Sequence, residues 1–179
     1  MVELWQNQNF AIYQRRKGER KVSRSRLDFL SSVFDEFDLL FADDASNVTI
    51  QNPNYNENIT IYDDEFEFTV CFSFQHRHFE KPEDLVAWIR EIIAGNLFAI
   101  EFFNNEQRRF GSEIGIEQLR NLTYEKLEQF TGYYCSKKLM DVADSFKIRG
   151  WDSRNNSDFV FVHDTSGAVE INKVYMEVR

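Results

Sequence analysis

From Glu65 to Phe79 the chain reads EFEFTVCFSFQHRHF, and its two parities carry different chemistry. Phe66, Phe68, Val70, Phe72, Phe74, His76 and His78 fall on even positions, whereas Glu65, Glu67, Thr69, Cys71, Ser73, Gln75, Arg77 and Phe79 fall on odd ones. Successive side chains on a strand point to opposite faces, so this period of two predicts one long, half-buried antiparallel strand. Its aromatic face ends in two histidines. On this reading Cys71 lies on the opposite face from His76, and the two do not meet.

Other segments repeat at three and four residues. Leu27, Leu30, Phe34, Phe37 and Phe41 share one helical face, which predicts a helix over 25–42. Ser25 is placed to cap it, with Asp28 three residues on. Leu85, Trp88, Ile89, Ile92 and Ile93 form a second stripe, over 82–94. Pro82 suits the first turn of that helix, Glu83 and Asp84 favour its positive end, and Gly95 suits its termination. A third helix is expected over 123–131, with Leu122 and Leu127 spaced as a hydrophobic staple, and a further helical piece over 136–142.

Short alternating runs supply the remaining strands. Residues 48–51 and 59–62 read as a hairpin around the turn-forming NPNYNEN, and Asp63 and Asp64 turn the chain into the long strand. Residues 97–103 and 109–114 pair around Asn104 and Asn105, and 146–151, 158–163 and 169–178 close the fold. An N-terminal strand is read at 3–14, with a turn at 17–19. Alternating strand–helix–strand units are lacking, which excludes a doubly wound architecture. The pattern predicts an α+β fold: a single domain over 1–179, with a curved, mostly antiparallel sheet of about eight strands packed by about three helices.

Composition sharpens this picture in two places. Eighteen phenylalanines predict a core of stacked and edge-to-face rings. The net charge of −9 disfavours nucleic acid, which needs clustered Lys and Arg, and suits a basic protein partner. The charge is uneven. Residues 15–26 hold seven basic side chains against Glu19 and sum to +6, so the other 167 residues carry −15. A basic run on an acidic body is expected to fold onto it or to meet an anion. No apolar run reaches the length of a membrane span, and the first residues do not read as a leader, so the cytoplasm is the expected location. Cys71 and Cys135 are then expected as thiols.

Candidate chemistry is sparse. His76 and His78, two apart on a strand, project to one side and could reach one metal, but no HExxH or CxxC spacing supplies further ligands. They are instead placed at the mouth of an aromatic ligand pocket floored by Phe68, Phe72 and Phe74, and no metal or cofactor is expected. The segment RGWDSRNNSDF concentrates Arg149, Trp151, Asp152 and Arg154 at a strand end, a composition that suits an interface. Its asparagines and serine also suit a plain turn. Glu113 in GSEIG is read as structural. Phosphate loops and a serine nucleophile elbow are absent.

Two function classes follow. The first is a non-enzymatic protein-binding module, similar in general character, though not in any motif, to the immunity proteins that neutralise basic toxins in bacterial polymorphic toxin systems. The alternative is a small-molecule binder or enzyme built on the aromatic pocket with His76 and His78 at its mouth.

Overall fold

In the computed structural model of this protein, residues 24–41, 46–73, 75–131 and 142–174 are described. The expected strand at 3–14, the turn at 17–19, most of the basic run, Phe74, Cys135 and most of the helical piece at 136–142 lie outside them.

The α+β class holds, but the single sheet of about eight strands does not. Ten strands among the described residues form two five-stranded antiparallel sheets, with four α-helices. The first sheet is a meander in chain order: β1 (Leu39–Phe41), β2 (Asn47–Ile50), β3 (Ile59–Asp63), β4 (Phe68–Phe72) and β5 (Gln75–Phe79). Helix α1 (Arg24–Val33) precedes it and α2 (Pro82–Ile93) follows. The second sheet begins with the hairpin of β6 (Leu97–Asn104) and β7 (Gln107–Gly115). Helices α3 (Ile116–Arg120) and α4 (Tyr124–Thr131) come next. Then β8 (Ser145–Arg149) adds to the free side of β6, followed by β9 (Ser157–His163) and β10 (Val169–Val174).

The helix expected over 25–42 is shorter. Leu27, Leu30 and Phe34 keep the helical spacing and are buried, but the chain turns at Phe34–Phe37 and continues as β1 against β2. Leu39 and Phe41 pack on the core while Leu40 is exposed, the alternation of a strand. α2 follows its sequence signals closely. Leu85, Trp88, Ile89 and Ile92 are buried, and Gly95 sits at φ 73°. Asn96 N–H donates to Glu91 O and Gly95 N–H to Ile92 O, the paired bonds of a glycine C-cap. The short α3 has no counterpart in the hydrophobic pattern.

The segment 65–79 is a hairpin, not one strand. Phe72 and Gln75 are cross-strand partners, so only positions 73 and 74 lie between β4 and β5, and Ser73 sits at φ 53°. A positive φ at a two-residue hairpin turn is ordinarily met by Gly or Asn, so Ser73 gave little warning. The turn exchanges the parities. Phe68, Val70 and Phe72 now share a face with Gln75, Arg77 and Phe79, while Thr69 and Cys71 share the other with His76 and His78.

β6 is buried on both faces. Leu97 and Ala99 meet the cluster formed by the first sheet, α1 and α2, whereas Phe98, Ile100 and Phe102 enter a second cluster with Leu127, Phe146, Ile148 and Phe161. That second cluster is built from rings. Phe102 stacks on Phe110 at 4.4 Å, and Phe146 on Phe159 at 4.6 Å.

Gly150 ends β8 against this packing. A Cβ there would lie 2.9 Å from Cδ1 and Cε1 of Phe98, a ring that is itself buried. Gly150→Ala is expected to destabilise the protein by about 1–3 kcal/mol through overpacking. Urea unfolding measures it, and an unchanged midpoint would show that Phe98 has room to move.

Candidate functional site

Three places hold the polar and aromatic side chains that can act on something else. The first is the polar face of the β4–β5 hairpin. Cys71 and His76 are direct cross-strand partners, as are Thr69 and His78. The expectation that Cys71 and His76 lie on opposite faces is therefore corrected by the turn at 73–74. The thiol is nevertheless poorly suited to attack, because burial pushes its pKa up to about 11. His76 and His78 are exposed, with ring centroids 5.4 Å apart at 87°. His78 Nδ1 lies 2.9 Å from Glu67 Oε1 and 3.1 Å from Thr69 Oγ1. Burial, then the charges of His78 and Arg108, lower the pKa of His76.

Phe72, expected beside these histidines, is buried on the other face against Trp151. The crevice lined by Phe72, Gln75, Trp88, Ile92, Leu97, Phe98, Ala99 and Glu113 has about 0 Å³ of room for a water molecule. The structure thus does not bring Phe72 together with His76 and His78, and Phe74 lies outside the described residues.

The seam between the sheets is polar but sealed. Gln75 Nε2 donates to Ile100 O at 3.3 Å, and Ser73 Oγ to Glu101 Oε1 at 3.5 Å. Glu101 is fully buried, and its charge holds up the pKa of Arg108, which burial lowers. Arg77 Nη1 and Trp88 Nε1 both donate to the Glu113 carboxylate, at 2.8 and 3.1 Å. Glu113 thereby joins β5, α2 and β7; the GSEIG segment, expected from the sequence as a tight turn, is instead the end of strand β7.

The second place is the loop after β8. Trp151 is only 9% exposed; it packs on Phe72, and its carbonyl accepts from Asn52 Nδ2 at 2.6 Å. Arg149 is half-buried and paired with Asp158 at 2.7 Å. Asp152 caps the short 3-10 turn Ser153–Asn155 by accepting from Arg154 N–H. Hydrogen bonds from the Arg154 side chain hold the Asp152 carboxyl down at about 2. Of the four residues expected at an interface, Trp151 and Arg149 fasten the loop inward, and the Asp152–Arg154 pair stays at the surface.

The third place went unread in the sequence. Phe66 shares the parity of the buried aromatic face, yet β4 begins only at Phe68 and Phe66 is 75% exposed. It sits in a turn built by carboxylates. Asp63 Oδ1 accepts from Glu65 N–H, and Asp64 Oδ1 accepts from Phe66 and Glu67 N–H. Glu65 takes φ 79°. The pairing of Phe68 with Phe79 brings Glu80 to the same end of the sheet, and the exposed Glu83 and Asp84 open α2 just beyond it. The available signal was Asp-Asp-Glu directly before Phe66, a run of turn formers that delays the strand.

Arg26, the last cation of the basic run, folds onto the back of this turn. Its guanidinium pairs with Asp63 Oδ1 at 3.0 Å, donates to Glu65 O, and lies 4.5 Å from the Phe68 ring centroid. Burial raises the pKa of Asp63, opposed by the Glu65 N–H and then by Arg26.

Among the described residues no helix is long and apolar enough to cross a membrane. No protein-family model, curated protein or solved structure matches the chain.

Proposed function

We propose that this protein is an acidic, non-enzymatic binding module of immunity type, which captures a basic protein through the Asp63–Glu67 turn with Phe66 as its anchor. The exposed Phe66 ring, held on a hydrogen-bonded turn, carries this reading. A turn whose backbone is fixed before binding loses little entropy when a partner buries the ring it carries, and large aromatic rings dominate interface energetics. Glu65, Glu80, Glu83 and Asp84 are exposed around that end of the sheet and supply complementarity to a basic surface. The raised thiol pKa of Cys71 and the filled crevice between the sheets speak against the alternative pocket or enzyme reading.

The test uses the full-length protein as bait in lysate of the host, at low and high salt. A basic protein should be retained and should weaken with salt. Phe66→Ala should reduce affinity about thirtyfold, the scale of an anchor residue. Its stability should stay within about 0.5 kcal/mol, because an exposed ring contributes little to folding. Glu65→Lys combined with Glu80→Lys should slow association. If the retained protein binds the Phe66→Ala and charge-reversed variants as tightly as the wild type, or if nothing basic is retained, the reading is wrong.

A further inference from the structure

We propose that His76 and His78 form an open, two-imidazole site for a divalent transition ion of the Zn²⁺ or Cu²⁺ type, with Glu67 orienting one of the two ligands. This inference needs no basic partner, although Glu67 both closes the acidic turn and faces His78. The two histidines stand two apart on β5 and point to the same side, into solvent.

Their spacing fits a shared ion. An imidazole nitrogen binds such an ion at about 2.0–2.1 Å, and the ring centre lies roughly 1.1 Å behind that nitrogen, so two rings at a tetrahedral angle have centres about 5 Å apart. The observed separation is 5.4 Å. Placed on one face of β5, the two rings lie within reach of one ion; they now meet edge to face at 87° and would turn to aim a nitrogen each at it.

The tautomer of His78 is also set. A carboxylate can only accept, so the 2.9 Å contact with Glu67 Oε1 places the hydrogen on Nδ1 and leaves the Nε2 lone pair for an ion. A ligating histidine whose other nitrogen donates to a carboxylate is the usual support of a metal site.

Among the described residues no group of three or more His, Cys, Asp and Glu is placed to hold a metal ion. Two protein donors would thus be completed by water, giving an exchangeable site with open positions. Imidazole selects Zn²⁺, Cu²⁺ and Ni²⁺ over Mg²⁺ and Ca²⁺, which prefer oxygen. The open positions would let a donor from another molecule share the ion.

Calorimetric titration of tag-free, full-length protein with ZnCl₂ tests the site, with MgCl₂ as control. One Zn²⁺ per chain is expected and no saturable Mg²⁺ binding. His76→Ala and His78→Ala should each weaken Zn²⁺ binding about tenfold or more, and Glu67→Gln about tenfold, the usual effect of removing an orienting partner. His163→Ala should leave it unchanged, since His163 lies on β9 of the other sheet. Circular dichroism melts check that the variants, altered at exposed or half-exposed positions, remain folded. No saturable Zn²⁺ binding, or binding that survives the double His76→Ala, His78→Ala replacement, would overturn the proposal. An unaltered affinity in Glu67→Gln would overturn the orienting role.

Discussion

Replacing Trp151 with alanine is expected to destabilise the protein by about 3–4 kcal/mol, near the centre of the range for a large buried aromatic. The indole is 9% exposed and leaves the second sheet to pack on Phe72 of the first, with ring centroids 6.4 Å apart. Its removal opens a cavity that Phe72 and the rest of the cluster cannot collapse into, because β4 is held by β3 on one side and β5 on the other. The residue also aligns the carbonyl that Asn52 Nδ2 donates to, so the β2–β3 loop loosens with it. For a chain of 179 residues a loss of this size lowers the melting temperature by about 10 °C. Urea unfolding followed by circular dichroism gives the free energy, and the slope checks that the transition remains two-state. Should Trp151→Ala fold as stably as the wild type and lose only partner binding, Trp151 would be a surface anchor and its packing on Phe72 incidental.

The second large effect concerns Arg26. Asp63 is 3% exposed and, among the described residues, pairs with the cation Arg26 at 3.0 Å. Arg26→Met keeps the aliphatic stem and removes the charge, leaving a buried carboxylate that still accepts from the Glu65 N–H. Breaking a fully buried pair costs about 3–5 kcal/mol; Arg26 is 30% exposed, and water already screens it, so about 2–3 kcal/mol is expected near neutral pH. The contact over the Phe68 ring is lost as well.

The pH dependence has a definite sign. Burial already raises the folded-state pKa of Asp63 above its unfolded value, so the folded protein binds that proton more tightly than the unfolded chain does. Stability from this group is therefore present below the unfolded pKa and is lost as pH rises through the folded one. Without Arg26 the folded pKa rises further, since an opposing charge has gone. The deficit of Arg26→Met against wild type should thus be larger at about pH 7 than at about pH 5, where Asp63 is closer to neutral. Unfolding free energies at the two pH values measure it. A deficit that stays constant or grows on acidification would show that Asp63 is not the group left uncompensated.

Most elements were legible because local rules decide them. α2 carries Pro82, two acids in its first turn, a four-residue apolar stripe and Gly95, and each signal points to the same helix. The β6–β7 hairpin declared itself through Asn104 and Asn105, and the residues at φ 48° and 63° are Asn105 and Glu106. Phe37 and Phe41 continue the spacing of α1, and only the turn at Phe34–Phe37 and the pairing of Phe41 in β1 with β2 take them out of the helix. The site was less legible than the fold. A strand's parity tells which residues share a face only while the strand is unbroken. Ser73 and position 74 break it without Gly, Pro or Asn, and every residue beyond them changes sides.

The stretch from Glu65 to Phe79 divides what each source of information decides. The sequence by itself determined that it is β structure with a buried aromatic face, since alternation and β-forming side chains admit no helix there. It also determined the α+β class, the acidic balance and the aromatic core. Only the tertiary structure decided that the stretch folds back on itself, because a turn without the usual residues is selected by the pairing and burial it permits, not by its own propensity. That one choice put His76 and His78 on the polar side beside Cys71 and Glu67, away from Phe72 on Trp151, while the separate turn at Asp63–Glu67 left Phe66 outside among carboxylates.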